Sequence, residues 1–164
     1  MANEHLTPRD KPIAVGEMAP DFTLTDQDRK EVSLFRDLLP KGDVVLSFYP
    51  MDFSPVCTTE MKCFTSDIAK FEGKGATVVG ISADSFFCHK AWADSLGLKQ
   101  TLLADMHRAV CRAYGVYFAP LNVSARGTVV IKGGAGPGAG RVAWVNSREL
   151  KDAINNEDIL AAIS

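Results

Sequence analysis

The stretch DVVLSFYPMDFSPVC, residues 43–57, decides the fold class because it joins a buried strand to the start of a helix. Its first half is a continuous run of β-branched and aromatic residues, which is typical of a strand covered on both faces. Pro50 ends that run, since proline has no N–H for a sheet ladder. Ser54 then occupies an N-cap position and Pro55 the favoured first helical position. The stretch therefore predicts a strand, a short loop and a helix.

Helices and strands alternate after this stretch. Apolar residues at helical spacing predict one helix from Ser54 to about Phe71. TVVGISAD and QTLLAD predict two further buried strands. The segment between them predicts a helix, with Ser85 as its N-cap and Gly97 just past its end. A short helix, MHRAVCRAYG, is expected next, with Asp105 as its cap.

Both ends of the chain add strands to this pattern. Two short alternating runs, Phe22 to Leu24 and Glu31 to Leu34, enclose a polar turn and predict a hairpin. Near the C-terminus, GTVVIK and RVAWV predict two strands joined by a glycine-rich connection, and a last helix follows. The elements predict an α/β fold with a mixed central sheet flanked by helices and an extra N-terminal β-hairpin. We expect one domain over residues 1–164, of which residues 1–19 form an irregular arm.

Composition and charge exclude several classes of protein. The net charge is −2 and the sequence pI about 5.9, without a cluster of basic residues, so no nucleic-acid partner is expected. No stretch of about 18 apolar residues is present and the N-terminal region lacks a continuous apolar segment, so we expect a cytoplasmic protein without a membrane partner. The three histidines and four cysteines lack zinc-ligand spacing, and the glycine-rich connection fails the phosphate-binding pattern. We therefore expect no metal and no cofactor.

Cys57 is the reactive residue of the opening stretch. As the third residue of the predicted helix it lies in the first turn, where unpaired N–H groups and the helix dipole favour a thiolate over a thiol. The thiolate is the nucleophilic form of cysteine, so position alone makes Cys57 a candidate nucleophile. The alternative is a cysteine that only packs in the core, where free cysteines are common.

Three segments of the chain resemble the peroxiredoxins. YPMDFSPVCTTE resembles the signature Pro-x-x-x-Thr/Ser-x-x-Cys of that family, with Pro50, Ser54 and Cys57 in register. VGEMAPDFTL resembles the family's N-terminal Gly-x-x-Ala-Pro-x-Phe segment, and NVSARGTVVI resembles the segment that supplies an active-site arginine, here Arg126. The chain thus resembles the thiol-specific antioxidant and alkyl hydroperoxide reductase family, especially its bacterioferritin-comigratory-protein-like or alkyl hydroperoxide reductase E-like members.

The resemblance implies a thioredoxin-like fold and a thiol peroxidase that reduces hydrogen peroxide and organic hydroperoxides through a cysteine sulfenic acid. It implies that Cys57 attacks the peroxide while Arg126 favours the thiolate and hydrogen-bonds the peroxide. It also implies that the Ser54 hydroxyl hydrogen-bonds the peroxide and the thiolate, and that Pro50 shields the sulfur from water. Threonine is commoner than serine at position 54, but serine keeps the hydroxyl, so activity is expected to survive.

The sulfenic acid must then be reduced, and the sequence leaves three routes open. Cys63 follows Cys57 on the same predicted helix, about 9 Å further along the axis, so a disulfide between them requires the helix to unwind. Cys88 lies in the helix where some relatives carry a resolving cysteine, but it is off their register. An external thiol is the third route. Cys111 falls on an apolar helix face and is expected to pack.

The expected partners are a hydroperoxide substrate and a reductant of the thioredoxin, glutaredoxin or low-molecular-weight-thiol type, with the protein a monomer or homodimer. Two other functions stay open. One is a thiol–disulfide oxidoreductase, although Ser54 stands where that chemistry places a second cysteine. The other is a non-catalytic redox sensor that uses Cys57. His89 is interpreted as an ordinary surface or core histidine, since no acid partner is evident, and Trp92 as a packing residue.

Overall fold

The computed structural model describes residues 2–163, which are organised around a seven-stranded sheet. The strands of this sheet are β1 (Thr23–Asp26), β2 (Glu31–Ser33), β3 (Val44–Phe48), β4 (Thr77–Ser82), β5 (Thr101–Ala104), β8 (Arg126–Ile131) and β9 (Val142–Arg148). Strands β6 (Tyr117–Phe118) and β7 (Val123–Ser124) form a separate pair. The helices are α1 (Pro55–Ser66), α2 (Ile68–Gly73), α3 (Phe86–Leu96), α4 (Ala109–Ala113) and α5 (Asn156–Ala162). Single π- or 3₁₀-helical turns cover Leu34–Leu38, Leu39–Lys41 and Ala119–Leu121.

The sheet is mixed, as the sequence predicts. Its strand order is β2-β1-β5-β4-β3-β8-β9, with parallel pairing of β3 to β4 and of β4 to β5. The other neighbours are antiparallel, including the predicted N-terminal hairpin of β1 and β2 and the pairing of β3 with β8. Because β3, β4 and β5 are parallel, the loops that follow them meet at one edge of the sheet. The loop between β3 and α1 lies at this edge.

Strand β3 runs through the middle of the core. All five of its residues are buried, which confirms the prediction of a strand covered on both faces. Its alternate residues point to opposite faces, so Leu46 and Phe48 join one apolar cluster while Val45 joins the other. Cys57 and Trp92 belong to the same cluster as Val45. The catalytic candidate therefore lies between the sheet and its helices.

The predicted helix over residues 54–71 is wrong in one respect, because the structure breaks it at Asp67. Backbone angles of φ −97° and ψ 8° at Asp67 separate α1 from α2. The Asp67 carboxylate accepts a hydrogen bond from Nδ2 of Asn156 in α5, 3.0 Å away. Aspartate favours such contacts over a helix interior. The start of the helix at Pro55 agrees with the sequence prediction.

The caps of α3 are as predicted, whereas α4 is shorter than predicted. The Ser85 hydroxyl accepts from the Cys88 amide, and Gly97 ends α3 in the left-handed region at φ 63°. Helix α4 begins only at Ala109, because Arg108 adopts a left-handed conformation at φ 57°. Asp105 is thus not the N-cap residue. Its carboxylate still accepts from the backbone amides of Val110 and Cys111, at 3.1 and 2.8 Å, and so caps the helix from a distance.

The N-terminal part of the described chain, residues 2–22, forms turns and one isolated bridge between Met18 and Arg141. The small antiparallel pair of β6 and β7 has no counterpart in the sequence prediction, because strands this short carry no periodic signal. Within residues 2–163, no helix combines the length and the apolar composition that crossing a bilayer requires.

Candidate active site

Cys57 lies in the first turn of α1 and is completely buried. Ser54 precedes the helix with extended backbone angles, which places it at the N-cap position as predicted. Its hydroxyl does not cap the first turn; it donates to the carbonyl oxygen of Met51, 2.9 Å away. The amides of the first turn are therefore not capped by this hydroxyl.

Arg126 is the side chain that the structure places directly on the thiol. Its Nη2 donates to Sγ of Cys57 at 3.2 Å, and its Nε donates to the carbonyl oxygen of Leu150 at 3.0 Å. The pairing of β8 with β3 carries Arg126 to the site, because Gly127 lies opposite Phe48. Arg126 is only 2% exposed, so its charge acts on the sulfur with little screening by water.

A buried carboxylate, absent from the sequence-based candidates, connects Arg126 to a second arginine. Oε1 of Glu60 accepts from Nη1 of Arg126 and from Oγ of Ser47, both at 3.4 Å. Oε2 accepts from Nη2 of Arg148 at 3.1 Å and from the Ile154 amide at 2.9 Å. Burial lowers the pKa of Arg148, and the Glu60 carboxylate opposes that shift. We call Glu60, Arg126 and Arg148 the arginine cluster.

One signal in the sequence could have identified Glu60. It follows Cys57 by one helical turn, and it precedes Met61 and Phe64 on the buried face of α1. A charged residue on an apolar helix face is uncommon unless it is paired. Arg148 carried no such signal, because a basic residue at the end of a strand is expected to be exposed.

Pro50 and its neighbours form the loop between β3 and α1. Pro50 is buried at the end of β3, whereas Met51 and Phe53 are 40% and 57% exposed. Phe53 has a left-handed backbone at φ 65°. Trp92 is buried with its ring centroid 5.5 Å from that of Tyr49, which confirms the prediction that it packs.

The other three cysteines differ sharply in environment. All four thiols are free. Cys63 is exposed on α1, on the side of the helix away from buried Cys57. Burial, together with the charges of Asp52 and Asp84, raises the pKa of Cys88 to about 11. Cys111 is 1% exposed, and burial raises its pKa strongly, in agreement with the prediction that it packs.

His89 lies in the core, and the sequence interpretation missed its acid partner. Nδ1 of His89 is 2.6 Å from Oδ2 of Asp52, in the loop before α1. Ligand atoms of Asp52, Asp84 and Cys88 also lie within 4.8 Å of one another. Both oxygens of Asp52 already have hydrogen-bond partners, Tyr49 and His89, so hydrogen bonding accounts for this group without a metal ion.

Known proteins resemble this chain in sequence. The sequence model described as "AhpC/TSA family" matches residues 15–134. A putative peroxiredoxin bcp from Helicobacter pylori is 43% identical over 105 residues, which are 64% of this chain and 68% of that protein. A thioredoxin peroxidase from Echinococcus granulosus is 37% identical over 127 residues, 71% of this chain and 65% of that protein.

A solved structure extends the similarity beyond the matched sequence. The crystal structure of peroxidoxin BcpB from Mycobacterium tuberculosis superposes with a TM-score of 0.80 at 29% identity. The superposition covers 92% of this chain and 96% of that one, which confirms the thioredoxin-like fold. The family match, the related sequences and the shared fold agree, and the chain belongs to the AhpC/TSA family of thiol-dependent peroxidases, the peroxiredoxins.

Proposed function

We propose that Cys57 is the peroxidatic cysteine of this enzyme and that Arg126 activates it. The observation that carries the proposal is the 3.2 Å hydrogen bond from the Arg126 guanidinium to Sγ, at the first turn of a helix. A fixed positive charge and a helix N-terminus both favour the thiolate. Cys57 combines the first turn of a helix with a hydrogen bond from a guanidinium, whereas Cys88 lies beside two carboxylates.

The proposed reaction is a displacement at oxygen. The Cys57 thiolate attacks one oxygen of the hydroperoxide, an S–O bond forms and the O–O bond breaks. The departing oxygen takes a proton and leaves as water or an alcohol, and the cysteine is oxidised to a sulfenic acid. Negative charge moves from sulfur to the departing oxygen during this step. Arg126 stabilises that charge from a position fixed by Glu60 and by the Leu150 carbonyl.

Ser54 and Pro50 are proposed to shape the peroxide pocket. The Ser54 hydroxyl donates its proton to the Met51 carbonyl, so its oxygen lone pairs can accept a hydrogen bond from the hydroperoxide O–H. The buried ring of Pro50 offers no N–H and excludes water from the end of β3. Ser54 thus orients the hydroperoxide, and Pro50 keeps bulk water away from the pocket.

An external thiol is the reductant that the surroundings of the cysteines favour most. Attack on a sulfenic acid requires a thiolate, and the raised pKa of Cys88 keeps it protonated at neutral pH. Cys63 is exposed, but α1 is continuous from Pro55 to Ser66, so helix unwinding must precede a disulfide with Cys57. We therefore propose a thioredoxin-, glutaredoxin- or low-molecular-weight-thiol-type donor, with Cys63 as the second candidate. The name of the Echinococcus relative supports the thioredoxin type.

Three further properties are proposed from the cysteines, the core and the surface. The four free thiols fit a reducing compartment such as the cytoplasm. Two apolar clusters packed on opposite faces of the same sheet fit one domain over residues 1–164. Exposed aromatic side chains of Phe53 and Phe87 fit a homodimer as well as a monomer. Light scattering of the purified protein measures the oligomeric state.

The test of the proposed function is peroxide consumption by the wild type and by Cys57→Ser, with dithiothreitol as reductant. We expect Cys57→Ser to lose all activity and Cys111→Ser to retain it. Activity of Cys63→Ser or Cys88→Ser that is kept with dithiothreitol but lost with thioredoxin would be a separate sign of an internal resolving thiol, because dithiothreitol reduces a sulfenic acid directly. A Cys57→Ser variant that still consumes peroxide would refute the proposal. The oxidoreductase alternative is not favoured, and slow insulin reduction by the wild type is expected.

A further inference from the structure

A buried histidine ties the loop between β3 and α1, residues 49–54, to the body of the protein. Nδ1 of His89 lies 2.6 Å from Oδ2 of Asp52, and both side chains are completely buried. Nε2 of His89 donates to the carbonyl oxygen of Leu103 in β5 at 3.1 Å, since a carbonyl can only accept. The histidine therefore has a fixed partner on each ring nitrogen and links the loop to the sheet.

Asp52 is held from further directions. Its Oδ1 accepts from the Tyr49 hydroxyl at 2.7 Å, and its backbone N–H donates to Oδ2 of Asp84 at 2.9 Å. Burial, reinforced by the Asp52 charge, raises the pKa of Tyr49 well above its ordinary value, so the phenol stays protonated and donates. Oδ2 of Asp84 also accepts from the Ser82 hydroxyl at 2.6 Å, which fixes Asp84 in turn. We call Tyr49, Asp52 and His89 the loop network.

The loop network holds residue 52, whose backbone N–H belongs to a peptide group that Asp84 orients. The N–H that Asp52 donates to Asp84 belongs to the same peptide group as the carbonyl of Met51. In a trans peptide the N–H and C=O point in opposite directions, so fixing the N–H also aims the carbonyl. That carbonyl accepts from the Ser54 hydroxyl at 2.9 Å. The orientation of the hydroxyl thus depends on the Asp84 carboxylate and on the position of residue 52, which the Asp52 side chain fixes through His89 and Tyr49.

The backbone next to Asp52 shows that the loop is constrained. Phe53 is a bulky residue with φ 65°, which is unfavourable and persists only where the surroundings impose it. Its ring is 57% exposed and has one aromatic neighbour, Trp92, at 6.2 Å between centroids. The apolar contacts of Phe53 are therefore few, and the buried hydrogen bonds of Asp52 are the stronger constraint.

We propose that Asp52 and His89 are positioning residues of the peroxidase: they fix the Met51–Asp52 peptide group and thereby orient the Ser54 hydroxyl that receives the peroxide. Neither residue contacts the thiol. Their effect on the reaction runs through Ser54, which distinguishes them from residues that only stabilise the fold. The inference rests on the proposed role of Cys57 and adds a second set of residues to it.

A double-mutant cycle tests this route. The second-order rate constant for hydrogen peroxide is measured by stopped flow for the wild type, His89→Leu, Ser54→Ala and the double variant, each checked for a native circular dichroism spectrum. We expect His89→Leu to slow the reaction by about 10- to 100-fold, the scale of a displaced catalytic group. The double variant should be no more than about twofold slower than the slower single variant, because the two residues act in series.

Matched variants cover the other outcomes. Exposed His107→Gln serves as the control and should react at the wild-type rate. Tyr49→Phe keeps the ring and removes only the hydroxyl, from which Asp52 accepts a hydrogen bond. If His89→Leu does not fold, Tyr49→Phe replaces it in the cycle. We expect Tyr49→Phe to be about 3- to 10-fold slower, the scale of one lost hydrogen bond.

Two results would overturn the inference. The first is a wild-type rate in both His89→Leu and Tyr49→Phe. The second is a double variant whose loss equals the product of the single losses, since that marks independent effects. Activity that survives in Cys57→Ser would instead refute the proposed function itself, and the inference with it, so the two failures are distinguishable.

Discussion

Two buried polar networks lie close to the catalytic turn, and they differ in how they reach the thiol. The arginine cluster of Glu60, Arg126 and Arg148 contacts Sγ directly through one guanidinium. The loop network is anchored on α3 and β5 and reaches the site only through the backbone of the loop. The first contains two guanidinium groups and one carboxylate; the second contains one carboxylate, one imidazole and one phenol. We therefore distinguish electrostatic activation of the thiol, proposed for the arginine cluster, from geometric control of its pocket, proposed for the loop network.

We expect the arginine cluster to act through its charge and the loop network to act through geometry. A guanidinium at 3.2 Å changes the energy of the thiolate itself, and burial strengthens that interaction. Asp52 belongs to the loop network, which we propose stabilises the position of the Ser54 hydroxyl. The charge on the sulfur is instead stabilised by Arg126 in this proposal. We therefore expect larger effects from the arginine cluster than from the loop network.

Glu60→Gln should have the largest effect, a loss of unfolding free energy. It leaves the guanidinium groups of Arg126 and Arg148 without their shared counter-charge. Removing one partner of a buried ion pair typically costs about 3–5 kcal/mol of unfolding free energy. Urea denaturation followed by circular dichroism measures the change. Glu157→Gln, in the exposed pair with Lys70, is the control and should leave the midpoint unchanged. Equal midpoints for both variants would show that the arginine cluster contributes nothing to stability.

Arg126→Met should have the next largest effect, measured here on the reaction rate. Losing one preorganised charged donor lowers a rate by about 10²–10³-fold. Stopped-flow reaction with hydrogen peroxide measures it, and Arg126→Lys should recover part of the loss because it restores the charge without the planar fork. A rate for Arg126→Met within twofold of the wild type would exclude direct activation of Cys57 by this arginine.

The smallest expected effect is that of the Asp52 carboxylate, in the loop network, on the pKa of Cys88. Because the pKa of Cys88 is raised to about 11, its thiolate fraction rises with pH only in that range. Alkylation by iodoacetamide, followed by mass spectrometry, should therefore reach half its maximal rate at Cys88 near pH 11. Asp52→Asn should shift this midpoint downward, since the Asp52 charge is one cause of the raised pKa. An unchanged midpoint in Asp52→Asn would contradict the placement of that charge.

The local part of the site was predictable from the sequence, because one short stretch contains it. Pro50, Ser54 and Cys57 lie within a strand end and the following helix start, and capping preferences alone predict their arrangement. The hydroxyl of Ser54 was the exception: it bonds to Met51 rather than to the helix. Side-chain rotamers at an N-cap depend on the loop that precedes them.

The long-range contacts were not predictable from spacing. Arg126 meets Cys57 only because β8 pairs with β3, and its role came from the family resemblance. Asp52 meets His89 because β3 and β4 are parallel neighbours, so the elements that follow them lie side by side. Strand order across a sheet follows from packing of the whole chain, and periodicity along the sequence does not contain it.

The central claim, that Arg126 and the first turn of α1 activate Cys57, is tested most directly by one equivalent of hydrogen peroxide. The reaction is followed by stopped flow, and the oxidised residue is then identified by a sulfenate-specific probe and mass spectrometry. The account predicts a sulfenic acid on Cys57, formed at least about 10²-fold faster than on free cysteine, the scale of one preorganised donor. Reaction at the rate of free cysteine, or a sulfenic acid first formed on Cys63, would contradict it.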